Sequence, residues 1–149
     1  CEAGRFGQKT GKGYYDYSAG GRDGAPDPEV RALIERVSAA EGIARREIGQ
    51  DEITERLVFP MINEGARILE EGIAYRPGDV DVVWIHGYNW PAWRGGPMFH
   101  ADRVGLGRIA ERLALYAERT GNDTLRPAPL LERLAQQGLG FASMEKTAA

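Results

Sequence analysis

The sequence predicts an all-α fold, a bundle of about six helices that follows a Gly/Tyr-rich N-terminal arm. Three observations support this prediction. Apolar residues after position 27 recur at intervals of three and four, the spacing of one helix face. Gly and Pro separate these periodic segments where helices would begin and end. The chain does not show the series of strands, each followed by a helix, that builds a parallel sheet.

Residues 1–27 form the predicted arm, which is rich in glycine and lacks a helical period. Tyr14, Tyr15 and Tyr17 lie within four residues of one another. Exposed aromatic area is unfavourable in water, so we expect the tyrosines to hold the arm in place, with room for a short strand. The alternative is an unattached tail.

The first helix is predicted to begin after Asp27, a favourable N-cap, with Pro28 in its first turn. Gly42 is a plausible terminator. Four apolar residues follow the spacing of a buried face: Val30, Leu33, Ile34 and Val37.

The second helix is predicted from Asp51, as its cap, to Gly72. Pro60 removes one backbone hydrogen bond inside it, so we expect a kink or a break into two helices. Its apolar stripe comprises Ile53, Leu57, Val58, Met61, Ile62, Ala66 and Leu69.

The segment after the turn at 76–78 is a short helix from Val80 to His86 or a strand of the same length. We favour the helix because Asp79 could cap it and Gly87 could end it.

Three further helices are predicted in the remaining chain. One begins at Pro97, and one begins near Gly105 and ends at Gly121. The last is short. Their inward residues are predicted to be Leu106, Ile109, Leu113, Tyr116 and Ala117, then Leu130, Leu131 and Leu134. We expect residues 143–149 to be a frayed tail.

Composition excludes several function classes. The net charge of −3 gives no basic surface for nucleic acid. The apolar runs fall short of the roughly 20 residues that a membrane span needs, and the start of the chain lacks the pattern of a secretory signal. The single cysteine, Cys1, favours a reducing compartment. Because the chain begins with Cys1, we expect it to be a segment of a longer protein.

Two glycine-rich stretches imitate nucleotide-binding motifs. Lys12 is followed by Gly13 rather than by the Ser or Thr of a phosphate-binding loop. Residues 105–110 match the dinucleotide pattern G-x-G-x-x-A, but a predicted helix precedes them instead of a strand. We interpret them as a tight corner between two helices. His86 and His100 lack metal-ligand spacing, so we expect a half-exposed polar contact for each.

Residues 87–102 combine two tryptophans, two prolines and a Gly-Gly pair. Each tryptophan would contribute on the order of 2–3 kcal/mol if buried, which favours a packed structural corner. Arg94 could form an ion pair with Asp102 or bind an anionic ligand, and we favour the ion pair. The predicted corner comprises Trp90, Pro91, Trp93, Arg94, Gly95, Gly96, Pro97 and Asp102.

Several of these motifs resemble the C-terminal helical domain of 3-hydroxyacyl-CoA dehydrogenases, in the version found in multifunctional fatty-acid β-oxidation enzymes of the peroxisomal bifunctional type. The resemblance covers residues 3–141. Its matching residues are Asn63, Glu64, Glu70, Glu71 and Gly72, then Asp79, Asp81 and Val82, then Gly87, Trp90, Pro91 and 94–99. The stretch GRFGQKTGKGYYDY is similar to the end of a first copy of the same domain.

The resemblance implies an all-α domain like the C-terminal domain of 6-phosphogluconate dehydrogenase. Residues 1–27 would be the tail of the first copy and 28–142 the second copy. The catalytic His-Glu pair and the NAD fingerprint would lie in a Rossmann domain outside this chain. A supporting Asn of the first copy would correspond to Glu55 here. We therefore expect no catalytic, cofactor-binding or metal-binding residues in these 149 residues.

Two hypotheses follow. In the first, the chain is a structural domain that mimics a dimer partner and contacts the Rossmann, first helical and hydratase domains, with Tyr14, Tyr15, Tyr17 and Met61 as contact candidates. The parent would use NAD and act on acyl-CoA, with dehydrogenase and enoyl-CoA hydratase/isomerase activities, in a bacterial cytoplasm or a peroxisome-like matrix. In the second, the chain is an independent module that binds acyl-CoA or a small anion at the Trp-Arg corner.

Overall fold

A computed structural model describes residues 1–147, and the side chains of residues 1–144 within them. The chain divides into two compact units, Cys1–Glu47 and Ile48–Ala149. This division places the first helix with the arm, and the boundary at residue 28 that the resemblance implies stays a prediction. In the described residues, helices predominate and a single two-stranded pairing occurs, so the predicted all-α class with six helices is confirmed.

The arm in the first unit contains a 3-10 turn, Gln8–Thr10, and two short strands, β1 (Tyr15–Asp16) and β2 (Ala25–Pro26), which pair antiparallel. The short strand that we expected is confirmed. Tyr14 and Tyr15 are 81% and 50% exposed, so these two tyrosines do not hold the arm in place, whereas the half-buried Tyr17 ring lies against Gly24.

Arg5 holds the arm instead. Its half-buried guanidinium pairs with Asp27 and Glu29 and donates to the Gly13 carbonyl at 3.1 Å. A charged group with several partners can fix a segment that has too little apolar area to form a core.

Helix α1 spans Pro28–Ala40, and Asp27 caps it by accepting a hydrogen bond from the Glu29 amide at 2.9 Å. The predicted start is therefore confirmed. The predicted buried face is wrong for three of its four residues, because Val30 is buried whereas Leu33, Ile34 and Val37 are 43–51% exposed. The unit of 47 residues is too small to bury the whole of this face of a 13-residue helix.

Helix α2, Gln50–Glu70, passes through Pro60 without a break and is capped by Gly49 rather than Asp51. It contacts three later helices of the second unit: α4 (Pro97–Val104), α5 (Leu106–Thr120) and α6 (Pro129–Gln136). Its buried face differs from the predicted stripe, since Ile53 and Leu57 are exposed. Ile62, Ala66 and Leu69 are buried as predicted. Glu55 and Phe59 continue the same face toward the start of the helix, at positions that the predicted stripe did not include.

The segment that could have been helix or strand is helix α3, Pro77–Gly87. Asp79 lies in its first turn, where its carboxylate accepts a hydrogen bond from the Arg76 amide at 3.2 Å. The predicted helix is confirmed, although Arg76 rather than Asp79 occupies the N-cap position.

Three helices complete the second unit: α4 (Pro97–Val104), α5 (Leu106–Thr120) and α6 (Pro129–Gln136). Their predicted inward residues are buried, and Gly121 ends α5 with a left-handed φ of 66°. Shorter 3-10 helices occupy Ala92–Arg94, Asp123–Leu125 and Phe141–Thr147. The last of these covers part of the predicted frayed tail, whose residues 148 and 149 lie outside the described residues.

Candidate functional site

The corner at residues 87–102 is organised by Asp81, which lies near the middle of α3. Its buried carboxylate accepts hydrogen bonds from the amides of Met98 at 2.7 Å and Phe99 at 3.1 Å. These amides belong to the first turn of α4 and would otherwise lack acceptors. Asp81 therefore fixes the start of α4 against α3.

Gly96 allows this close approach. A Cβ atom at this position would overlap the Asp81 carboxyl group, and the Gly96 φ of 92° disfavours any L side chain. The Gly-Pro step of the corner thus has a structural explanation, because Pro97 then begins α4 with a pre-set φ.

The two tryptophans of the corner have different environments. Trp90 is 9% exposed, and its ring lies 5.9 Å from the His100 ring and 6.3 Å from the Trp84 ring. Its indole N–H is buried without a hydrogen-bond partner among the described residues. Trp93 is 79% exposed, so the prediction that it packs into the corner is wrong.

Arg94 and Asp102 do not form the predicted ion pair in the described chain. The Arg94 guanidinium lies over the Trp93 ring, 4.4 Å from its centroid. Asp102 accepts hydrogen bonds from the amides of Phe141 at 2.7 Å and Ala142 at 2.9 Å. Pro91 and Gly95 lie at the two ends of the 3-10 turn that carries Trp93.

Asn63 fixes the extended segment around residues 126–128 by hydrogen bonds to its main chain, as Asp102 does at residues 141 and 142. Its buried side-chain amide donates to the Arg126 carbonyl at 2.8 Å and accepts from the Ala128 amide at 2.7 Å. Glu70, two turns later, accepts from the Leu130 amide at 3.3 Å. These two motif residues thus fix the linker that leads into α6.

Glu55 is a buried ionisable group with several partners, and it lies at the position where the resemblance implies an Asn in the first copy. Its carboxylate is 8% exposed. It accepts hydrogen bonds from three side chains of α5: Arg112 and Tyr116 at 2.6 Å each, and Arg108 at 2.8 Å. We call these four residues the Glu55 cluster.

Burial by itself would raise the pKa of Glu55. The hydrogen bonds from Tyr116, Arg108 and Arg112 outweigh burial and lower its pKa to about 2. Burial, followed by the hydrogen bond to Glu55 and its negative charge, raises the pKa of Tyr116, whereas Arg112 acts in the opposite direction. Glu55 is therefore ionised at neutral pH and fully occupied by donors, so it is poorly suited to transfer a proton.

Sequence reasoning missed the Glu55 cluster as a site. The available signal was the spacing of Arg108, Arg112 and Tyr116, which places all three on one face of a helix. The second part of the signal was Glu55, a glutamate that has the same helical spacing as the buried apolar residues of α2.

The two histidines lie in different environments. His100 is half-buried, and burial, followed by the positive charge of Arg94, lowers its pKa, so the ring is neutral near pH 7. His86 is exposed at the end of α3. Among the described side chains of residues 1–144, no three His, Cys, Asp or Glu come close enough to hold a metal ion.

Residues 105–110 do not fit a dinucleotide. Helix α4 leads through Gly105 directly into α5, so the strand that positions a pyrophosphate in a Rossmann fold is replaced by a helix. The predicted helix-helix corner is confirmed.

The four contact candidates differ in exposure. Tyr14 and Tyr15 are exposed, whereas Tyr17 and Met61 are half-buried. Their contact role remains a prediction. No helix in the described part of the chain has the length and apolar character of a membrane span.

Comparison with known proteins agrees with the resemblance. Residues 53–148 match the family model for the 3-hydroxyacyl-CoA dehydrogenase C-terminal domain. The chain is 48% identical over 140 residues to the peroxisomal bifunctional enzyme of Homo sapiens, with 93% of this chain and 19% of that protein covered.

Two other relatives match a similar share of this chain and of their own length. The Danio rerio peroxisomal bifunctional enzyme is 46% identical over 93% of this chain and 20% of its own length. The peroxisomal fatty acid beta-oxidation multifunctional protein of Oryza sativa subsp. japonica is 33% identical over 97% of this chain and 20% of its own length. The chain thus spans about a fifth of the curated relatives it matches. It belongs to the family of 3-hydroxyacyl-CoA dehydrogenase C-terminal domains, in the form found in multifunctional fatty-acid β-oxidation enzymes.

Proposed function

We propose that this chain is a non-catalytic assembly domain of a multifunctional fatty-acid β-oxidation enzyme. In this proposal it takes the place of a dimer partner and supports the dehydrogenase half of that enzyme. The parent would oxidise 3-hydroxyacyl-CoA with NAD and would also carry enoyl-CoA hydratase/isomerase activity. The names of the relatives favour a peroxisomal or glyoxysomal setting.

The Glu55 cluster is the observation that carries this proposal. At the position that the resemblance aligns with a supporting Asn, this chain has a carboxylate already bound by Arg108, Arg112 and Tyr116. All three donors belong to α5, so the group serves to join α2 to α5. A side chain committed in this way stabilises a scaffold rather than a reacting substrate.

Three polar residues support the same conclusion: Asn63 and Asp81, which are buried and belong to the family motifs, and Asp102, which is half-buried and lies outside them. The carboxylates of Asp81 and Asp102 each accept two main-chain hydrogen bonds, and Asn63 makes two more. Each of these residues fixes the start of a helix or an extended segment. The family motifs in this chain therefore maintain its shape.

Exposed apolar area supports an assembly role. Leu57 on α2 and Val37 on α1 are 63% and 51% exposed, although both lie in helices with a clear apolar periodicity. Surfaces of this kind in isolated domains mark contacts with other protein surfaces. The relatives contain about four-fifths of their length outside the matched region, which could supply those contacts.

NAD would bind elsewhere in the parent. Residues 105–110 do not fit it, so we derive no catalytic step through this chain. The contribution of the chain would be mechanical, since a correctly held dehydrogenase half positions its substrate and cofactor more accurately than a loose one.

A second candidate function is binding of an acyl-CoA or a small anion at the Trp-Arg corner. One observation favours it, the stacking of the Arg94 guanidinium on the exposed ring of Trp93. Arg and aromatic groups together can bind a phosphate and an adenine ring.

Isothermal titration calorimetry of the 149-residue chain with acetyl-CoA, and separately with NAD, distinguishes the two candidates. The assembly proposal predicts no saturable heat with either compound. Saturable binding of acetyl-CoA that disappears in Arg94→Ala would favour the second candidate. Arg119→Ala is a matched control, because Arg119 is also exposed and lies at the end of α5.

A further inference from the structure

Three large aromatic side chains are exposed between the end of α3 and the start of α4. Tyr88, Trp93 and Phe99 are 67%, 79% and 54% exposed, and we call them the aromatic surface. Tyr88 packs on Trp84 with ring centroids 4.9 Å apart. The Phe99 ring packs closely over Gly95. These contacts fix the exposed rings on an ordered base, so they form a pre-organised surface.

Helix α3 has apolar residues on both of its sides. Val80 is buried in the core, whereas Val82 and Val83 are 57% and 56% exposed. A helix that is apolar all round is typical of one covered by protein on every side. The outer side of α3 therefore needs a cover that the described residues do not supply.

The charges around the aromatic surface are positive. Between residues 82 and 103 the exposed side chains with a full positive charge are Arg94 and Arg103. Asp102 carries a negative charge in the same range, but it is half-buried and its two carboxylate oxygens face the amides of Phe141 and Ala142. The whole chain carries a net charge of −3, so this positive border is a local feature.

We propose that the aromatic surface is the contact site for another domain of the same polypeptide, and that this domain presents an apolar surface bordered by Asp or Glu side chains. The inference rests on the proposed function and specifies where the assembly contact lies. It differs from the contact candidates Tyr14, Tyr15, Tyr17 and Met61, which come from the arm and from α2.

We propose a domain of the same polypeptide as the partner because of the length of the relatives. This chain matches 19% of the human peroxisomal bifunctional enzyme, so most of that polypeptide lies outside the match. A domain on the same polypeptide has a high effective concentration, which allows a contact of modest area to stay closed. Trp and Arg are also the residue types that contribute most to protein interfaces.

A small ligand fits this surface less well than a protein does. Small-molecule sites are concave and bury most of the ligand. Trp93, at 79% exposed, projects into solvent, which suits insertion into a pocket of a partner. The stacked Arg94 would then meet an acidic group at the border.

Hydroxyl-radical footprinting tests the proposal by measuring oxidation of individual side chains. The free 149-residue chain is compared with a chimera in which it replaces the 140 matched residues of the human relative. Oxidation of Trp93 and Phe99 is expected to fall about fivefold or more in the chimera, because the centre of an interface excludes solvent. Tyr75, which is 91% exposed and lies outside the aromatic surface, is the internal reference.

Charge reversal provides the second readout. Arg94→Glu in the chimera should restore Trp93 oxidation toward the free-chain rate, whereas Arg119→Glu should leave the protection unchanged. Should the chimera fail to fold, the same rates are measured on the chain mixed with the human relative lacking its matched residues. Unchanged Trp93 oxidation in that mixture would overturn the proposal.

The footprint also separates this inference from the proposed function. Protection at Tyr14 or Met61 with none at Trp93 would overturn the aromatic surface and leave the assembly role intact. Protection at no position would overturn both. Protection of Trp93 in the free chain by acetyl-CoA alone would assign the surface to a ligand instead.

Discussion

The Tyr116 hydroxyl donates a hydrogen bond of 2.6 Å to the buried carboxylate of Glu55 and thereby joins the first half of α2 to the middle of α5. Arg112 also donates to Tyr116 and to the same carboxylate oxygen, so the charge on Glu55 is balanced within the contact. Arg56 adds a cation–π contact, 5.8 Å from the Tyr116 ring centroid. This junction stabilises the scaffold to which the other features are attached.

Glu55→Gln should lower the free energy of unfolding by about 2–4 kcal/mol, because the variant leaves the guanidinium groups of Arg108 and Arg112 without their carboxylate. Urea denaturation followed by circular dichroism measures the change. The control is Glu111→Gln, which removes an exposed carboxylate from α5 and should change the free energy by less than about 0.5 kcal/mol. Equal losses for the two variants would show that the Glu55 cluster contributes no special stability.

Stability should also decrease in acid in a way that depends on Glu55. Its pKa is about 2 in the folded chain, below the ordinary value of 4.5, so its contribution is complete above about pH 5 and is lost as the pH falls toward 2. The shift corresponds to about 3 kcal/mol. Urea denaturation at several pH values should therefore show the difference between wild type and Glu55→Gln shrinking as the pH falls. A difference that stays constant from pH 7 to pH 2 would contradict the lowered pKa.

Gly96→Ala should destabilise the chain by about 3 kcal/mol or more, because its Cβ atom would overlap Asp81 at a φ that L residues rarely adopt. Gly107→Ala is the matched control. Gly107 lies in the first turn of α5 with open space around it, so alanine there should be neutral or stabilise by about 0.5–1 kcal/mol. Thermal melts of both variants provide the comparison, and a Gly96→Ala melt at the wild-type temperature would disprove the close approach.

The two tryptophans of the corner should respond differently to truncation. Trp90→Ala should reduce the free energy of unfolding by about 3–5 kcal/mol, because it empties a buried site. Trp93→Ala removes an exposed ring and should change it by less than about 0.5 kcal/mol. Chemical denaturation of the two single variants measures both values. A larger loss for Trp93→Ala than for Trp90→Ala would reverse this assignment.

Local patterns predicted the elements of the fold well. The apolar positions of α5 and α6 are buried as expected, and Gly121 ends α5 as its position suggests. These features depend on short-range spacing and on backbone preferences, both of which the sequence states directly. The continuity of α2 through Pro60 was not predictable in this way, because packing along the whole helix compensates for one missing hydrogen bond.

The candidate site was harder to predict because it depends on long-range partners. Glu55 and Tyr116 are 61 residues apart in the chain, and Asp102 binds amides about 40 residues away. Spacing within one helix cannot indicate such pairs. The exposure of Trp93 was also not predictable from local sequence. A tryptophan side chain can lie on either side of a 3-10 turn, and the spacing of apolar residues does not indicate which side.

The rate of NAD reduction with a 3-hydroxyacyl-CoA tests the central claim most directly. It would be measured on the isolated chain, on the human relative lacking its matched 140 residues, and on the chimera that carries this chain in their place. The account predicts no NADH from the isolated chain, a low rate from the shortened relative, and recovery in the chimera. NADH production by the isolated chain, or a chimera no more active than the shortened relative, would contradict it.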